Sequence, residues 1–244
     1  MVNNINISEA LCSTMPIIDV RSPKEYQQGH IPNAINIPLF SDEERAEVGT
    51  AYKQVSKEAA IEQGTILVNP KLLDFIHNSK KAAPEGSAII HCWRGGMRSQ
   101  SFAKHLSDNG FSELSVITGG YKAYRNYVLD QLEVTIKIKL LGGFTGSGKT
   151  YILSELKKLG HQILDLEGLA HHKGSAFGGI GQDAQPTSEQ FDNNLFREIS
   201  KLDRTQPIWI EDESYSIGTV NVPQQIHTQM RSSALIFIDI PAEE

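Results

Sequence analysis

Short apolar runs alternate with longer polar stretches along this chain, which predicts strands and helices in turn. PIIDV at 16–20 reads as a buried strand. The polar run after it opens on Ser22, a good helix cap, and turns at Gly29. AINIP at 34–38 is a second short apolar segment. Residues 42–62 and 70–81 read as helical, with LLDFI placing its apolar positions on one face. SAIIHC at 87–92 is a strand ending in a cysteine. RSQSFAKHLSDNG at 98–110 is a helix closed by Asn109-Gly110, and LSVITGG at 114–120 is another strand.

The pattern starts afresh with EVTIKIKLLGG at 133–143, a strand that leads into a glycine-rich turn. The helix KTYILSELKKLG follows, its Ile152, Leu153, Leu156 and Leu159 marking one face. HQILDL (161–166), PIWIED (207–212) and SALIFIDI (233–240) predict further strands. Strands alternating with helices imply parallel sheets with crossover connections. The expected architecture is α/β in two domains, residues 1–132 and 133–244, with no repeat or low-complexity tract.

Each half carries one loop with evident chemistry. GGFTGSGKT contains G-x-x-x-x-G-K-[ST] from Gly143 to Thr150, between a predicted strand and a predicted helix. In that context the backbone N–H groups of Gly143, Gly146, Ser147 and Gly148 would cradle phosphate, aided by the helix N-terminus. Lys149 would neutralise a terminal phosphate and Thr150 would hold Mg²⁺. The carboxylate for that metal should end a neighbouring strand; Glu211, Asp212 and Glu213 after PIWI are the candidates, Asp212 first among them, with Asp165 a weaker one.

HCWRGGMRS at 91–99 places Cys92 in a glycine-rich turn with Arg94 and Arg98. Backbone N–H groups and two arginines favour a thiolate, or an anionic adduct on sulfur. A structural cysteine would have apolar neighbours on both sides, so Cys92 is expected on an exposed loop rather than in a core. The spacing His91-Cys92-x5-Arg98-Ser99 is also the signature of cysteine-dependent phosphatases, in which the loop binds a phosphate dianion. From the loop alone both chemistries stand.

The segment upstream bears on that choice. IIDVRSPKEYQQGHIPNAINIPL at 17–39 resembles the N-terminal motif of the rhodanese superfamily, a D-V-R, an E-[YF], then G-H-I-P-x-A-x-N-I-P. With CWRGGMRS, GGFTGSGKT and WIEDES in this order, and with HHKGSAFGGIGQDAQPTSEQFDNNL at 171–195, the chain from residue 16 onward resembles the tRNA 2-selenouridine synthase family. The resemblance implies a rhodanese-like domain followed by a P-loop NTPase-like domain. It implies replacement of the 2-thio group of wobble 2-thiouridine in tRNA by selenium. Selenophosphate would be the donor, and geranyl diphosphate would alkylate the thiouridine sulfur. No tightly bound cofactor is implied, Mg²⁺ being expected from the phosphate loop alone, and an enzyme producing selenophosphate is a fitting partner. Cys92, with Arg94 and Arg98, would carry the selenium chemistry. His171, His172 and Lys173 read from their residue types as a contact to phosphate or RNA, with a solvated loop the alternative. Because chains of this family continue past IDIPAEE, part of the second domain is expected to lie outside this sequence. The rival readings are a cysteine phosphatase and a nucleotide-sensing sulfur carrier.

Other polar residues read as structural. Asp19 and Arg21 are expected to hold the fold, His30 a turn, and Trp93 to shield the thiolate or stack on a ligand. Cys12 is expected to be a plain surface residue. Net charge is −6, with 13 basic and 14 acidic residues in 1–130 against 10 and 15 in 131–244. The acidity of the second half excludes a protein that grips nucleic acid everywhere by counterion release, and leaves local basic patches. The sequence lacks both an apolar run long enough to span a membrane and a secretion signal, and a lone loop cysteine suits a reducing compartment, so the cytoplasm is expected.

Overall fold

The computed structural model describes residues 2–144, 146–175 and 177–240; Thr145 of the phosphate-loop pattern, Ala176 of the HHKGSAFG stretch and the terminal PAEE lie outside them. The chain divides into two compact units, residues 1–127 and 128–244. Among the described residues no helix is long and apolar enough to cross a membrane.

In chain order the first unit holds β1 (Val2–Ile5), α1 (Ile7–Cys12), β2 (Ile17–Asp19), α2 (Pro23–Gln28) and β3 (Ile35–Asn36). Then come α3 (Asp42–Gln54), α4 (Lys57–Val68), a 3-10 turn (Asn69–Lys71), α5 (Leu72–Ala82), β4 (Ser87–His91), α6 (Met97–Asp108) and β5 (Glu113–Ile117). Helix α7 (Gly120–Glu133) begins in this unit. Its sheet is wholly parallel in the order β1-β5-β4-β2-β3. The middle strands read as near-continuous apolar runs because helices cover both faces; Ile18, Ile89, Ile90 and Val116 are fully buried.

Several elements depart from the sequence reading. Residues 42–62 form two helices, because Ser56 stops the first and caps the second by accepting the Ala59 N–H at 3.0 Å. The N-terminal stretch is an edge strand pairing β5 in register and a helix with an Asn6–Glu9 capping box. The strand predicted over 133–143 starts only at Ile138, since α7 runs to Glu133.

The second unit contains β6 (Ile138–Gly143), α8 (Lys149–Lys158), β7 (Gln162–Leu164), α9 (Leu166–Ala170), α10 (Ser188–Ile199) and β8 (Ile208–Glu211). A short hairpin of β9 (Ser216–Ile217) and β10 (Val220–Asn221) precedes α11 (Gln224–Arg231) and β11 (Ala234–Ile238). Four parallel strands make the main sheet in the order β11-β6-β8-β7. Strand β6 is therefore interior, and the glycine-rich loop leaves its C-terminal end beside the end of β8. This is the doubly wound logic in which a ligand site forms at the carboxyl ends of adjacent strands. The edge strand β11 leaves Leu235, Ile236 and Phe237 about half exposed.

Candidate functional site

In the first unit the site is built at the end of β4. Cys92 follows the last strand residue and is only 3% exposed, packed with the core around Phe102 and Val116. The exposed position expected for it is wrong, and the reason is local. The turn Trp93–Gly96 folds back against the β5–α7 connection, where Tyr121 N–H donates to Cys92 O and Lys122 N–H to Trp93 O, each at 2.9 Å. Only glycines permit that approach. A Cβ on Gly120 (φ +58°) would sit 2.3 Å from Cys92 O, and one on Gly95 (φ +64°) 2.2 Å from Ile117 O.

The Cys92 sulfur lies 3.3 Å from Ser99 Oγ. Burial pushes the thiol up, but the Ser99 hydroxyl, the Arg98 charge and the N–H groups of Ser99 and Arg94 more than offset it, so the thiol is held below its ordinary value. The loop therefore presents a thiolate-favouring sulfur. Arg98 reaches it as a charge only, because its guanidinium donates to Glu25 on α2, Nη1 to Oε2 at 2.8 Å and Nη2 to Oε1 at 3.4 Å. Burial would raise Glu25, yet Arg98, the Ser22 N–H and Arg45 bring it below its usual range. The Arg94 backbone faces the sulfur while its side chain is exposed.

Behind the loop, Asp19 and Arg21 are buried, with Arg21 Nη2 donating to Asp19 at 2.6 Å and to Gly29 O at 2.7 Å. The guanidinium also stacks 3.7 Å above the Tyr121 ring. Thus Arg21 locks the turn at Gly29 and the helix that clamps Cys92 O, which is a fold-holding role. His30 stacks on Tyr26.

In the second unit Gly143 ends β6, and Gly146, Ser147 and Gly148 follow before α8, with Gly148 as the helix N-cap. Lys149 Nζ donates to Gly143 O at 3.0 Å and Phe144 O at 3.3 Å, and lies 3.4 Å from Glu211 Oε1. Thr150 also hydrogen-bonds Glu211. Asp212 does not join them: its carboxylate is taken by Arg231 on α11. The pleat of β8 aims Glu211 at the loop and the next residue away from it. Glu211, and not Asp212, is thus the carboxylate that meets Lys149 and Thr150 of the loop.

Glu167 on α9 and Glu213 after β8 complete a group with Glu211 whose oxygens lie within 4.8 Å of one another. Burial first, then repulsion from Glu211, Glu213 and Asp165, pushes Glu167 up to about 7. Hard carboxylate oxygens and the Thr150 hydroxyl are a donor set that suits Mg²⁺. Glu167 went unnoticed in the sequence because nothing local marks it. Of the residues expected to meet RNA, His171 Nδ1 is hydrogen-bonded to Ala184 O at 2.9 Å and His172 packs under Gly178. Both rings shape the loop; Lys173 alone of the three is exposed. That loop passes over the carboxylates, with a Cβ on Gly174 falling 2.8 Å from Glu167 and Glu213 oxygens.

Comparison with known proteins bears on both units. The rhodanese-like domain family matches residues 4–127, and the family described as tRNA 2-selenouridine synthase AAA domain matches 136–244. The tRNA 2-selenouridine synthase of Nitrosomonas europaea is 40% identical over 240 residues, covering 93% of this chain and 60% of that protein. Those of Bdellovibrio bacteriovorus and Hydrogenovibrio crunogenus are 41% and 39% identical, covering 93% and 94% of this chain and 61% and 65% of theirs. The chain thus spans about 60–65% of the length of these relatives.

Proposed function

Because the chain belongs to the tRNA 2-selenouridine synthase family, we propose that it modifies tRNA by exchanging the 2-thio group of wobble 2-thiouridine for selenium. The observation that carries this reading is the Cys92 sulfur, held toward its thiolate by Ser99, Arg98 and two backbone N–H groups. Cys92 would act as the nucleophile that prepares C2 of the base for the selenium of selenophosphate.

Thiolate is a poor leaving group from such a carbon, and alkylation improves it. In this reading the thiouridine sulfur first attacks C1 of geranyl diphosphate, the C1–O bond breaks, and diphosphate departs. The N–H groups of Gly146, Ser147 and Gly148 and the Lys149 ammonium would receive its charge. Mg²⁺, held by Thr150 and Glu211, would neutralise the same oxygens. The Cys92 thiolate then adds to C2 and expels geranylthiolate, which is protonated; the selenium of selenophosphate displaces the Cys92 thiolate from C2, and water breaks the Se–P bond to release phosphate. Arg94 would act through its backbone and exposed side chain, Arg98 through its charge, and Lys173 at the RNA. The reduced thiols and the tRNA substrate suit a cytoplasmic enzyme working beside a selenophosphate-producing partner.

A cysteine phosphatase would need the Arg98 fork for its oxyanion, and Glu25 holds that fork here. Aryl phosphate should therefore not turn over. The reading is tested by incubating the chain with 2-thiouridine tRNA and geranyl diphosphate alone, then digesting to nucleosides for mass spectrometry. S-geranyl-2-thiouridine should accumulate; unmodified 2-thiouridine after prolonged incubation would count against it.

A further inference from the structure

Cys92 is buried yet reachable. Its side chain lines a cavity of about 730 Å³ in the first unit, between the α3–α4 pair and the cysteine loop, a size that fits a small molecule. Charge around that cavity is one-sided. Arg45, Lys53, Lys57, Arg94 and Arg98 line it, and no Asp or Glu does. Glu25 pairs with both Arg45 and Arg98, so one carboxylate answers two guanidinium groups. Lys53, Lys57 and Arg94 have no ion-pair partner among the described residues. The other thiol of the chain lies elsewhere. Cys12 is exposed at the end of α1, which carries the chain back to the start of β2, whereas Cys92 leaves the carboxyl end of the parallel strand β4. A disulfide needs Cα atoms within about 7 Å, which opposite ends of a sheet do not offer.

A thiolate-favouring sulfur among cations is open to peroxide. The Cys92 sulfur attacks one peroxide oxygen, the O–O bond breaks, and hydroxide leaves and is protonated to water. Sulfur loses two electrons in that step and becomes a sulfenic acid. With no second thiol in reach, further peroxide would carry it to the irreversible sulfinic acid. An external thiolate can intervene by attacking the Cys92 sulfur: an S–S bond forms, the S–O bond breaks, and hydroxide again leaves as water. Five cations facing the path favour a thiol that carries negative charge. We infer that Cys92 is a redox-modification site, where oxidation by peroxide is followed by capping with an anionic low-molecular-weight thiol held at Lys53, Lys57 and Arg94. A second thiolate then attacks the capping sulfur, departs with it as a small disulfide, and returns the Cys92 thiolate. The cap silences the nucleophile and protects it while peroxide lasts, whatever substrate the chain acts on.

Intact-mass spectrometry of the full chain in a Cys12→Ser background tests it. Hydrogen peroxide followed at once by glutathione, an anionic probe, should add one glutathione at Cys92, and excess dithiothreitol should remove it. Cysteamine, a cationic thiol, should cap at least about tenfold more slowly, each rate taken relative to that thiol's reaction with a neutral small disulfide. Lys53→Ala with Lys57→Ala, both at exposed positions and so compatible with folding, should bring the two rates together, as should raised salt. Equal rates for the two thiols on the otherwise unaltered chain, or a glutathione preference that survives the double variant, overturns the assignment of the cavity to an anionic thiol. No mass change at Cys92 under peroxide, or a Cys12–Cys92 disulfide formed by peroxide when Cys12 is kept, overturns the modification site itself.

Discussion

Removal of the Glu25 carboxylate should separate what it does for stability from what it does for the thiol. Its Oε2 accepts from Arg98 Nη1 at 2.8 Å and from the Ser22 N–H at 3.1 Å, and lies 3.6 Å from Arg45 Nε. Glu25→Ala deletes the α2 cap contact, worth about 1 kcal/mol. It also strands Arg98. Breaking a fully buried pair costs about 3–5 kcal/mol and an exposed one below about 1. With the two side chains 18% and 23% exposed, about 1.5–3 kcal/mol is expected. The sum is about 2.5–4 kcal/mol for Ala. Glu25→Gln keeps an oxygen for the Ser22 N–H and one Arg98 contact, and should lose about 1–2 kcal/mol. Urea unfolding followed by Trp93 fluorescence, in a Trp209→Phe background, reports the first unit. The second effect has the opposite sign. With the carboxylate gone, Arg98 acts on Cys92 unopposed, so alkylation of Cys92 should extend to lower pH even as stability falls. An Ala variant within about 0.5 kcal/mol of wild type, or an alkylation profile moved to higher pH, would refute the assigned geometry.

Three further outcomes follow from the same geometry. Gly120→Ala, which drives a Cβ to 2.3 Å from Cys92 O at φ +58°, should abolish selenium insertion and lower the melting temperature by several degrees; normal activity would mean the clamp is dispensable. Because Cys92 is held below the ordinary thiol value, its thiolate should persist as pH falls below that value and be lost only at the lower folded one. Its iodoacetamide rate in a Cys12→Ser background should thus rise earlier in pH than that of free cysteine. Ser99→Ala should move the rise back upward, and an unmoved profile would remove Ser99 from the account. Lys149→Ala should weaken geranyl diphosphate binding by about 1.5–3 kcal/mol in calorimetric titration, the worth of a charge-assisted contact; unchanged affinity would place the diphosphate elsewhere.

Much of this architecture is legible in the sequence because its cues are local. Apolar runs mark β2, β4, β5, β6, β8 and β11, and both loops announce themselves by glycine, lysine and cysteine at fixed spacing. Some missed elements also had local signals. Asn6 and Glu9 spell a capping box, and Tyr121, Tyr124, Val128 and Leu132 lie at helical spacing in α7. What the sequence withholds is which distant side chains meet. Glu25 and Arg98 are 73 residues apart. Glu211 and Glu213 turn toward one carboxylate group while Asp212 between them is taken by Arg231, which the run of three acids does not reveal. The burial of Cys92 depends on glycine backbones from two loops touching, an approach that composition near the cysteine does not foretell.

The most direct measurement is the nucleoside composition of 2-thiouridine tRNA after incubation with the chain, geranyl diphosphate and selenophosphate, for wild type and Cys92→Ser side by side. Serine nearly matches the shape at this buried site, and circular dichroism would show the variant folded. The account predicts 2-selenouridine from the wild-type chain, and from Cys92→Ser only the S-geranyl nucleoside. Near-normal 2-selenouridine from the folded serine variant would contradict the role assigned to the Cys92 sulfur.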